Sequence, residues 1–77
     1  MTYREVYEKE KDWKKRVALI DFIRVLKRWS ARETARYLDI SHTLASKSVI
    51  LAHCPNLNQY PSFRSAWNDH RENCKHQ

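Results

Sequence analysis

The chain contains no glycine, so each of its turns must be made by a residue that carries a side chain. A glycine-rich phosphate-binding loop is excluded at once. Prolines number only two, and good helix formers fill most of the chain, which points to an all-α fold. Cys54 and Cys74 are too few for a disulfide framework and have no CxxC spacing. Reduced thiols in a cytoplasmic protein are the expectation. Taken with His53, His70 and His76, the cysteines match no usual zinc pattern, so neither a metal nor a cofactor is expected. No apolar run is long enough to span a bilayer, and the N-terminus is charged throughout, unlike a signal peptide. The expected setting is the cytoplasm, with no membrane partner. No paired carboxylates and no Ser-His-Asp spacing suggest catalysis, and a non-enzyme is expected.

Positive charge is what the chain has in excess. Fifteen Lys and Arg against nine Asp and Glu give +6, which favours an anionic partner. Basicity serving solubility alone is the plainer alternative. A length of 77 residues allows one domain, 1–77, with a core small enough that a second copy or a bound partner would help to stabilise it.

Residues 3–28 contain no helix breaker, and they read as a long N-terminal helical segment, either one bent helix or two. Leu19, Phe22, Ile23 and Leu26 have the i, i+3, i+4, i+7 spacing of a buried face. Val17, Ile20 and Val25 widen it beyond what a surface helix needs, as if a second subunit covered part of it. The first half instead offers charge pairs such as Glu10–Lys14. Its aromatics Tyr3, Tyr7 and Trp13 either fold back on the core or serve an interface.

Ser30 reads as an N-cap, and Glu33 completes a capping box for a helix over about 31–38 with Ala35 and Leu38 facing in. Ser41 opens a further helix over about 42–53, ended by Cys54-Pro55. Ser62 caps a short last helix carrying Phe63, Ala66 and Trp67, before a polar tail over about 69–77. Trp29, Trp67 and Phe63 read as core.

Two short helices and a three-residue turn, over about 30–53, make a helix-turn-helix unit. Ala35 is the small residue at the helix crossing, and Leu38 and Ile40 are the anchors either side of the turn. The turn needs positive φ between them. Asp39 stands there as a substitute for glycine, since Asp visits the left-handed region more readily than most residues, at a cost of about 1 kcal/mol.

The stretch "ARETARYLDISHTLASKSVILA" resembles the helix-turn-helix of ParB/KorB-like partition and regulatory proteins and related phage DNA-binding modules. The likeness rests on Ala35, Leu38-Asp39-Ile40-Ser41, Ala45-Ser46 and Leu51-Ala52, about a third of the chain. It departs from that pattern at Asp39, where Gly is usual, and at Ala45, where Val is commoner. The resemblance implies that the helix after the turn enters the major groove of DNA. Carried over by position, its outward residues are His42, Thr43, Ser46 and Lys47, with Ser41 on a phosphate at the helix N-terminus. Arg32 and Arg36, on the preceding helix, would clamp the flanking backbone. Each of these has a plainer role as a solvated polar residue. Lys14, Lys15, Arg16, Lys27 and Arg28 read as a solvated charge run, and Arg64 and Arg71 as possible further phosphate contacts.

The function expected from this is sequence-specific binding of double-stranded DNA by a homodimer, in transcriptional regulation or accessory DNA organisation. Alternatives are the DNA-targeting piece of a partition, packaging or recombination machine, or a protein-interaction module using Tyr3, Tyr7 and Trp13.

Overall fold

The computed structural model describes residues 2–54 and 56–73, the last of them by its backbone alone. Among these residues there are five α-helices and no strand: α1 Tyr3–Lys9, α2 Trp13–Lys27, α3 Ala31–Leu38, α4 His42–Ala52 and α5 Phe63–Asn73. A 3₁₀ turn at Leu57–Gln59 precedes α5. The fold is a small all-α bundle.

Short polar side chains start the helices. The hydroxyls of Thr2, Ser30, Ser41 and Ser62 and the Asp12 carboxylate each accept a free backbone amide of the first turn that follows. Asp12 is the cap that splits the N-terminal segment into two helices. The expected Glu10–Lys14 pair therefore does not share a helix. Glu10 closes α1, and its carboxylate accepts the Asp12 amide at 3.1 Å. On α1 the ion pair is Arg4–Glu8 instead. At Ser30, Glu33 N–H donates to the cap hydroxyl at 3.2 Å, and Thr34 Oγ1 donates back to the Ser30 carbonyl at 3.0 Å.

Two helices end without glycine in a left-handed residue. Arg28 after α2 has φ 58°, and Asp39 after α3 has φ 60°. In both, the next amide reaches back to satisfy a carbonyl of the last turn: Trp29 N–H to Arg24 O, and Ile40 N–H to Ala35 O, each at 3.0 Å. This is the Schellman arrangement, which normally selects glycine. The expected conformation of Asp39 is found, and Arg28 repeats it at a position the pattern did not mark.

The expected apolar stripe of α2 is buried on one side only. Val17, Ile20 and Ile23 are buried, whereas Phe22, Val25 and Leu26 are 48%, 58% and 49% exposed. The helix is apolar on two opposite sides, so spacing alone does not choose the inner one. Ile20 and Ile23 join Tyr7, Ala35, Leu38 and Ala45 in one cluster, with Trp29, Ile40 and Val49 packed on it. Val17, Leu51 and Ala66 form a second, walled by Trp13, Phe63 and Trp67. Helix α4 bridges the two, with Ala45 in the first and Leu51 in the second.

The last helix continues to Asn73, so residues 69–73 are helical rather than tail. The Tyr60 hydroxyl donates to the Asp69 carboxylate and ties the preceding loop to this helix. Cys74 and His76 lie outside the described residues. Cys54 is a free, half-buried thiol.

Candidate nucleic-acid interface

Asp39, Ile40 and Ser41 are the only residues between α3 and α4, and these helices pack closely on each other. Ala35, Leu38 and Ala45 are almost wholly buried, and Ile40 packs against their cluster. Small side chains let the two backbones approach, and Ile40 pins the turn from beneath. The Asp39 side chain points outward, 86% exposed, with Arg4 of α1 3.9 Å away. A pair so open to water contributes little. What fixes the turn is its backbone hydrogen bonds.

With Ala45, Ser48 and Leu51 buried, the opposite side of α4 faces solvent. His42 and Thr43 are exposed there, and Ser46 is half-exposed. His42 Nε2 and Ser46 Oγ are 3.2 Å apart, one helical turn from each other, so these two side chains hold one another in place. Ser41 Oγ accepts the Leu44 amide at 3.1 Å, which leaves its own proton free to donate outward. Arg32 and Arg36 are both exposed, four residues apart on the outer side of α3.

Lys47 stands apart from this group. It is half-buried, and its Nζ lies 5.2 Å from the centre of the Trp67 ring on α5. Lys47 thus flanks the exposed face of α4 on its α5 side. Ile50, 42% exposed, occupies the same outward face as Thr43 and Ser46. Sequence reasoning passed over it because, within the apolar run Val49-Ile50-Leu51-Ala52, it reads as core. Its periodicity with Thr43 and Ser46 was the available signal.

The electrostatics of this side are simple. Residues 40–68 contain no Asp or Glu. Helix α4 therefore presents hydroxyl, imidazole, amine and apolar groups to solvent with no carboxylate among them. On α5, Arg64 and Arg71 are exposed.

The N-terminal aromatics divide. Tyr7 is buried, with the Arg16 guanidinium 4.5 Å over its ring, and Trp13 meets Phe63 edge-on at 6.3 Å. Tyr3 remains 38% exposed, edge-on to Phe22 at 5.9 Å. The described residues hold no group of three His, Cys, Asp or Glu able to bind a metal ion, and no helix among them is long and apolar enough to cross a membrane. No family model matches the chain, and neither does any curated protein or solved structure.

Proposed function

We propose that this protein binds double-stranded DNA as a homodimer and reads sequence with the outward face of α4, as a transcriptional regulator or an accessory DNA-organising factor. The observation that carries this is the α3–turn–α4 unit. Its three-residue turn is set by left-handed Asp39, and the helix that follows is capped by Ser41 and displays His42, Thr43 and Ser46 without a carboxylate. Groove edges present donors, acceptors and thymine methyls. Hydroxyl and imidazole groups meet the first two, and the Thr43 methyl and Ile50 meet the third. Arg32, Arg36 and Lys47 supply phosphate contacts, and the net charge of +6 gives the long-range attraction.

A second copy is the natural cover for Phe22, Val25 and Leu26, which lie on one exposed side of α2. A two-fold pair sets the same patch against itself and presents two copies of α4 to two half-sites. A protein-interaction role for the N-terminal aromatics gains less support, because Tyr7 and Trp13 are engaged within the chain.

Selection of bound sites from a random duplex pool, with native mass measurement of the complex, tests the proposal. The expected result is an enriched, two-fold symmetric site carrying two chains. A pool that stays unenriched contradicts sequence-specific reading.

A further inference from the structure

A cavity of about 230 Å³ opens between α1, α2, α4 and α5. Its walls are mainly aromatic and aliphatic: Tyr7, Trp13 and Phe63 with Leu44 and neighbouring core residues. Two polar side chains also line it, and each has a donor without a partner. Ser48 is 1% exposed, yet its hydroxyl makes no hydrogen bond. The Nε of Arg16 is likewise buried without an acceptor, while its guanidinium carbon sits over the Tyr7 ring. Buried donors left unpaired cost stability, so such a pair in one cavity calls for an acceptor.

We infer that this cavity is a binding site for a small aromatic carboxylate. Its size sets the first limit, since a cavity of roughly 150 Å³ already holds benzene. The additional space fits a carboxylate on a single ring. Charge sets the second. The Arg16 guanidinium lines the cavity and no Asp or Glu does, so an anion is the complement that is missing. The aromatic walls take the ring, the Arg16 Nε–H donates to the carboxylate, and the Ser48 hydroxyl donates to a carboxylate oxygen or to a ring substituent. Leu44 and Ser48 belong to α4, so an occupant would press on the inner side of the helix whose outer side we assign to DNA. Binding itself does not depend on that assignment.

Titration of the free 77-residue chain with benzoate tests the site, followed by the indole N–H resonances of its tryptophans. Benzamide serves as the uncharged analogue and acetate as the ring-less one. Benzoate should shift the Trp13 signal saturably, with Trp29, which packs in the other cluster, unmoved. Benzamide should bind about tenfold more weakly or worse, the worth of one charge-assisted hydrogen bond, and acetate should leave Trp13 unchanged. Arg16→Gln should erase the preference for benzoate over benzamide. Ser48→Ala should weaken benzoate binding without lowering the melting temperature of the free protein. Equal binding of benzoate and benzamide by the wild-type chain overturns the proposal, as does a Trp13 signal that benzoate does not move.

Discussion

Lys47 of α4 lies over the indole of Trp67 on α5, its Nζ 5.2 Å from the ring centre. The contact joins the last helix to the proposed reading helix and holds the amine at the edge of the exposed face. From there its charge reaches a phosphate more readily than a base edge in the groove. Lys47→Ala should therefore weaken DNA binding by a similar factor on preferred and scrambled duplexes, and lower stability by about 0.5–1 kcal/mol through loss of the ring contact. Competition titrations and thermal melts of the variant check both effects.

Thr43 is exposed at the centre of the outward face and has no competing partner of this kind. Thr43→Ala should cost about 1–3 kcal/mol on the preferred site and little on random DNA, narrowing the gap between them. A specificity ratio that survives the substitution would remove α4 as the reading head. Arg36→Ala should instead lower affinity uniformly.

The two left-handed helix ends make a paired prediction. Asp39→Gly and Arg28→Gly should each leave stability unchanged or raise it by up to about 1 kcal/mol, because glycine adopts positive φ without steric cost. Asp39→Val should be destabilising. Chemical denaturation of the three variants decides it, and a loss of stability in both glycine variants would contradict the cap geometry.

The two sides of α2 should respond in opposite ways. Ile23→Ala removes a fully buried side chain and should cost about 2–5 kcal/mol. Phe22→Ser and Val25→Ser, on the exposed side, should leave the monomer folded while shifting sedimentation from dimer towards monomer. Unchanged sedimentation of the double variant would exclude this side as the dimer contact.

These contrasts mark what sequence could reveal. The α3–turn–α4 unit was legible because local chemistry specifies it: Ser30 and Ser41 open helices, and Asp39 suits a left-handed end. The break between α1 and α2 was hidden because Glu10, Lys11 and Asp12 belong to a charged run that suits a continuous helix equally well. The inner side of α2 was hidden for a different reason. Its sequence is apolar on opposite faces, and only packing against the other four helices selects Val17, Ile20 and Ile23. Among the candidate site residues, spacing put Thr43 and Ser46 on the outer face. It could not foresee that Trp67, twenty residues along, would take Lys47. The cavity beside Ser48 joins residues from four helices, a juxtaposition no local pattern encodes.

DNA binding is tested most directly by affinity for a labelled duplex across a salt series. Phosphate contacts by Arg32, Arg36, Lys47 and their two-fold mates predict a straight line of log K against log salt, with a slope of roughly −4 to −6. Arg36→Ala should make that slope shallower by about one to two, since the dimer loses two such contacts. Binding that does not respond to salt, or no binding at the lowest salt, would contradict the account.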